Sequence, residues 1–131
     1  MSELRKILYV EDQLDIQIIA KMSLESIAGY ELKVSSSGEE ALQVIEAFSP
    51  DLLLLDVMMP GIDGPGTLAE IRKIDKVSNT PVIFMTAKVL PNEIDELMSL
   101  GALSVISKPF DPVTLGQSIQ AIWDEYVSHN G

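Results

Sequence analysis

Five short, mainly apolar runs, each followed by a longer stretch with helical spacing, constrain this chain more than any other feature. The runs are Ile7–Val10, Leu32–Val34, Leu52–Leu55, Val82–Met85 and Leu103–Ile106. Leu52–Leu55 has no polar alternation at all. Strands covered on both faces of a parallel sheet look like this, although periodicity alone leaves buried helix open. The intervening segments have recognisable helix ends. Ser37 and Glu40 read as a capping box, with Ala41, Leu42, Ile45 and Phe48 on one face behind it. Asp111 and Pro112 read as an N-cap and a first-turn proline, ahead of a stripe of Leu115, Ile119, Ile122 and Tyr126. Pro50 and Gly101 punctuate other helix ends. Five such β–α units imply an α/β, doubly wound parallel sheet, with right-handed crossovers limiting its topology.

A length of 131 residues suits one domain, expected over 1–131 with its core at about 5–127. No internal repeat or linker interrupts it, and only Ser128–Gly131 reads as a loose tail. The 47% hydrophobic content with 5% aromatic residues requires a mostly aliphatic core. The formal net charge of −11 repels phosphate backbones and anionic lipids, so neither direct nucleic-acid binding nor membrane insertion is expected. The absence of cysteine excludes disulfides and thiol chemistry. Met1–Lys6 is polar with no long apolar run behind it, so neither a signal peptide nor a membrane span is expected, and the compartment expected is the cytoplasm.

The polar residues fall where the apolar runs end. Glu11 and Asp12 follow the first, Asp56 ends the third, Thr86 ends the fourth, and Lys108 comes just after the fifth. Open parallel sheets bind ligands outside the carboxyl ends of their strands. Four runs thus deliver three carboxylates, a hydroxyl and an ammonium to one edge. Converging carboxylates repel one another, and a hard divalent cation such as Mg²⁺ relieves that repulsion through oxygen ligands. An isolated acidic pair such as Glu11–Asp12 more often caps a helix, but Asp56 and Lys108 at matching positions argue for a site. Asp56, closing an all-apolar run, is the candidate nucleophile, since a carboxylate can accept a phosphoryl group. That transfer needs positioning and positive charge, supplied by Mg²⁺ and Lys108. Thr86 is a candidate donor to a phosphoryl oxygen.

At these residues the chain resembles the receiver domains of two-component response regulators, chemotaxis-regulator-like members among them. The matching motifs are ILYVED at Ile7–Asp12, LLLLDVMMPGIDG at Leu52–Gly64, MTA at Met85–Ala87 and KPF at Lys108–Phe110, and the likeness runs from about Lys6 to Tyr126. It implies a flavodoxin-like sheet of order 2-1-3-4-5 with five helices on two faces. It also implies a phosphorelay switch in which Asp56 takes a phosphoryl group from a phosphohistidine of a sensor histidine kinase or histidine phosphotransfer protein. Such a domain assists its own transfer and slow autodephosphorylation without being a metabolic enzyme. By the same resemblance Glu11, Asp12, Asp56 and the Met58 backbone carbonyl are metal ligands. Thr86, Lys108 and the backbone N–H groups of Met58 and Ala87 hold the phosphoryl oxygens. A cis peptide between Lys108 and Pro109 is implied as well.

Two departures stand out. Val105 occupies a position where many receivers carry an aromatic switch residue, so switching is expected to run through Thr86 and loop movement, or to be weaker. Gly64–Pro65–Gly66 replaces the usual leucine-led start of the third helix, and Gly66 is expected to weaken that turn. From Val89 onward Lys108 is the sole lysine or arginine, against Glu93, Asp95, Glu96, Asp111, Asp124 and Glu125. The charge-laced dimer of many DNA-binding relatives then lacks its basic half. Met58 and Met59 border the site, and His129 is given no role.

Two other classes fit the residues less well. A haloacid-dehalogenase-like phosphatase needs a second aspartate two residues after the nucleophile, where Met58 stands. A phosphorylation-independent binding module would typically have lost an acid or the lysine, whereas Glu11, Asp12, Asp56, Thr86 and Lys108 are all present. No effector domain is expected within the chain, and its output would be a changed protein–protein contact with a downstream partner the sequence does not name, or onward transfer of the phosphoryl group.

Overall fold

The computed structural model describes residues 3–130. Its strands are β1 (Lys6–Val10), β2 (Glu31–Ser35), β3 (Leu52–Asp56), β4 (Val82–Thr86) and β5 (Ser104–Ser107). The helices are α1 (Leu14–Lys21), α2 (Gly38–Phe48), α3 (Gly64–Ile71), α4 (Pro91–Ser99) and α5 (Leu115–Asn130). All strand pairs are parallel and the order is β2-β1-β3-β4-β5. The fifth strand begins one residue later than its apolar run, although Leu103 still donates its N–H to Val82 O at 2.8 Å.

The central strands are apolar throughout because both faces are covered. Successive side chains of a strand point to opposite faces. Leu8, Val10, Leu53, Leu55, Val82 and Phe84 therefore pack on one side with residues of α2, α3 and α4 such as Ile45, Leu68 and Leu97. Ile7, Tyr9, Leu52, Leu54, Ile83 and Met85 pack on the other with Ala20 of α1 and with Leu115, Ile119 and Trp123 of α5. The edge strand β2 alternates between exposed and half-buried residues until the buried Ser35.

Several local expectations are refined. Ser37 Oγ accepts the Glu40 N–H at 3.0 Å, but the Glu40 carboxylate reaches back past the N-cap to the Ser36 N–H, one residue beyond a reciprocal capping box. Asp111 Oδ1 accepts from Val113 N–H at 2.9 Å and so caps a turn that precedes the regular part of α5. The tail expected at Ser128–Gly131 is corrected: α5 continues through Asn130, while Gly131 lies outside the described residues. Gly66 has a local reason as well. Asp63 caps α3 by accepting the Gly66 N–H at 2.8 Å, and a Cβ on Gly66 would sit 3.0 Å from that capping oxygen. Glycine there makes room for the cap. After α1 the chain widens into a π-helical stretch, Met22–Ile27, marked by Ala28 N–H donating to Ser23 O at 3.1 Å.

Candidate functional site

The strand order reverses between β1 and β3, and the loops leaving these neighbours diverge to opposite faces of the sheet. The crevice this opens at the strands' carboxyl ends is where Glu11, Asp12 and Asp56 emerge. Glu11 follows β1, and its N–H donates to Ser35 O at 3.0 Å, which extends the sheet by one bond and draws the side chain into the interior. Glu11 is fully buried, Asp12 half-buried, and Asp56 4% exposed. Carboxylate oxygens of these three residues lie within 4.8 Å of one another.

Lys108 reaches the same place from β5. Its N–H donates to Thr86 O at 2.9 Å, and the Lys108–Pro109 peptide is cis, as the resemblance implied. Its Nζ donates to Glu11 Oε1 at 2.9 Å and to Asp56 Oδ1 at 3.1 Å. Thr86, closing β4, is 3% exposed; its Oγ1 accepts the Lys88 N–H at 3.0 Å, leaving the hydroxyl proton free to be donated. A cleft of about 410 Å³ opens over this cluster, lined by Asp56, Thr86, Ala87 and Lys108 and walled by Ile16, Ile19, Met58 and Phe110. Met58 is largely exposed at its rim, whereas Met59 turns into the core.

The electrostatics follow from burial and crowding. Burial, with the charge of Glu11 next, pushes the Asp56 carboxyl from 3.8 up to about 6, against the hydrogen bond and charge of Lys108 and with a further push from Asp12. Burial works to lower Lys108, but its hydrogen bonds to Glu11 and Asp56 and their charges prevail and raise it, so it stays an ammonium. The three carboxylates offer the hard oxygen donors Mg²⁺ prefers, clustered closely enough to share one ion.

The sequence profile of the response regulator receiver domain matches residues 7–120. The chain belongs to this family. The receiver is 39% identical over 120 residues to "Probable transcriptional regulator ycf27" of Cyanophora paradoxa, covering 90% of the chain and 48% of that protein. It is 36% identical over 120 residues to the alkaline phosphatase synthesis transcriptional regulatory protein PhoP of Bacillus subtilis, again covering 90% and 48%. The receiver thus spans about half the length of the curated relatives it matches. In structure it resembles the chemotaxis protein CheY4 of Vibrio cholerae, with a TM-score of 0.83 and 29% identity over 92% of this chain and 99% of that one. The names of the longer relatives describe whole proteins. The expectation that nucleic acid is not bound rests on the charge of these 131 residues and does not extend to such proteins.

Within the receiver, the structure gathers every side chain the sequence singled out: Glu11, Asp12, Asp56, Thr86 and Lys108. Two contacts escaped the sequence reading. Tyr9, fully buried, donates its hydroxyl to Glu11 Oε1 at 3.2 Å, and the Gln13 N–H donates to Glu11 Oε2 at 3.1 Å. The signal for Tyr9 is its place two residues before Glu11, where the extended chain of β1 and the bond that continues it put both side chains on one face. No described helix is long and apolar enough to cross a membrane.

Proposed function

We propose that this receiver is a Mg²⁺-dependent phosphorelay switch that accepts a phosphoryl group on Asp56 from a phosphohistidine of a sensor kinase or phosphotransfer protein. The observation that carries the reading is Lys108 Nζ bridging Glu11 Oε1 and Asp56 Oδ1 beside a third carboxylate. An Asp56 oxygen attacks phosphorus as the P–N bond to the donor imidazole breaks, leaving an acyl phosphate on Asp56. Mg²⁺, held by Glu11, Asp12, Asp56 and the Met58 carbonyl, would offset the charge of the carboxylates and of the phosphoryl oxygens. Lys108 turns from Asp56 to one phosphoryl oxygen and the Thr86 hydroxyl donates to another. The backbone N–H groups of Met58 and Ala87 complete the donor set. The apolar wall of Ile16, Ile19, Met58 and Phe110 offers a donor protein a surface beside the acceptor.

Incubation with acetyl phosphate and Mg²⁺ followed by intact mass tests the reading. The expected result is one added phosphoryl group, absent in Asp56→Asn and absent when Mg²⁺ is chelated. Phosphoryl uptake by Asp56→Asn, or uptake unaffected by chelation, would overturn it.

A further inference from the structure

Tyr9 sits in the middle of the receiver's interior, fully buried between β1 and the helices α1 and α5. Leu54 and Val34 lie opposite it on the adjoining strands, so phenylalanine would serve this packing equally well. The hydroxyl is what needs explaining. A buried hydroxyl is unfavourable without a partner, and the one it has is Glu11 Oε1, at 3.2 Å. That separation is longer than the usual hydroxyl-donor range of about 2.5–3.0 Å, as suits an oxygen that Lys108 also claims at 2.9 Å.

Among the described residues the Glu11 carboxylate therefore has three donors: Tyr9 and Lys108 on Oε1, and the Gln13 N–H on Oε2. They are not equivalent. Lys108 also bonds Asp56, and under the function proposed above it turns to the phosphoryl group. Once it does, Tyr9 is the donor left on Oε1. A flexible glutamate released there would lose its aim toward Asp12 and Asp56, the residues with which it shares a 4.8 Å cluster.

We propose that Tyr9 is a positioning residue for divalent-cation binding, its hydroxyl fixing the Glu11 carboxylate toward Asp12 and Asp56 independently of Lys108. The proposal rests on the Mg²⁺-dependent reading of the site. Outer hydrogen-bond partners of metal-holding side chains typically contribute 10–100-fold in affinity. Loss of one of the three donors on Glu11 is expected at the lower end, about tenfold.

The test is the Mg²⁺ dissociation constant, measured by calorimetry on the wild-type chain, Tyr9→Phe and Tyr30→Phe. Tyr30 is the control. It donates to Gln120 Oε1 at 2.6 Å, in a contact between the start of β2 and α5 that involves none of the site residues. Tyr9→Phe should weaken Mg²⁺ about tenfold and Tyr30→Phe should leave it unchanged. A double-mutant cycle with Glu11→Gln keeps the test sound if Tyr9→Phe also loses stability. In the Glu11→Gln background, removal of the Tyr9 hydroxyl should no longer change the Mg²⁺ constant. A Tyr9→Phe constant within about twofold of wild type, far below the tenfold expected, or an equal effect with and without Glu11, overturns the role of Tyr9 and leaves the switch intact. No Mg²⁺ binding by the wild-type chain would instead overturn the Mg²⁺-dependent reading itself.

Discussion

Lys108 and Asp56 are 52 residues apart in sequence, yet Lys108 Nζ lies 3.1 Å from Asp56 Oδ1. The same ammonium holds Glu11 Oε1 at 2.9 Å, so one cation offsets two carboxylates that leave adjacent strands. Both acids are almost wholly buried, and the lysine side chain is 14% exposed. A cluster this enclosed is weak evidence of net stability, but removing the lysine is strongly destabilising because two buried carboxylates are left uncompensated, whereas loss of Asp56 leaves the ammonium paired with Glu11.

Lys108→Ala is therefore expected to lower stability by about 3 kcal/mol in chelator, measured by urea denaturation. Millimolar Mg²⁺ should restore more stability to the variant than it adds to the wild type. The ion then no longer competes with the ammonium for Glu11 and Asp56. Phosphorylation by acetyl phosphate should nevertheless be lost, since the cation that turns to the phosphoryl oxygen is gone.

The Asp56 carboxyl, raised from 3.8 to about 6 chiefly by burial, fixes a pH dependence. A carboxyl raised by folding holds its proton more tightly in the native state, so stability falls as pH rises through the window from about 4 to about 6. Asp56→Asn removes that fall. In chelator the variant should match wild type near pH 4 and exceed it by about 1–2 kcal/mol at pH 7.5. Thermal unfolding across that range checks it. A wild-type curve parallel to that of the variant would contradict the assigned cause.

Two glycines of α3 should resist a substitution that usually stabilises helices. A Cβ on Gly64 would run into the carbonyl oxygen of Asp56, so Gly64→Ala is expected to cost about 3 kcal/mol. It should also slow phosphorylation, by displacing the backbone that carries the acceptor. Gly66→Ala crowds the Asp63 cap and is expected to cost about 1 kcal/mol without changing the rate. Chemical denaturation and acetyl phosphate kinetics separate the two.

Asp95, Glu96, Asp124 and Glu125 are exposed on α4 and α5, and Lys108, the sole lysine or arginine beyond Val89, is committed to the site. Like charges on facing copies oppose association. The chain is expected to stay monomeric by small-angle scattering with or without beryllofluoride, at ordinary salt.

Sequence alone determined the parts of this protein that depend on local pattern. The run Leu52–Leu55 reads as a strand covered on both faces, and in a parallel sheet Glu11, Asp56, Thr86 and Lys108 then lie at one edge, because apolar pattern and strand polarity are properties of consecutive residues. The motifs at Ile7–Asp12 and Lys108–Phe110 pointed to the family through a resemblance that the profile match bears out. What only the tertiary structure decided are the relations between elements. Gly66 looked like a flaw until Asp63 was seen to need its space. The π-helical turn at Met22–Ile27 has no periodic signal, and Gly116 lies so close to Ala28 there that a Cβ would come within 2.5 Å of the alanine Cβ. Tyr9 lies within the run Ile7–Val10, and only the structure puts its hydroxyl on Glu11. The physical reason is common to all three: side-chain period is set within a few residues, whereas a hydrogen bond or a close approach is set by where strand order and loop closure bring distant backbones together.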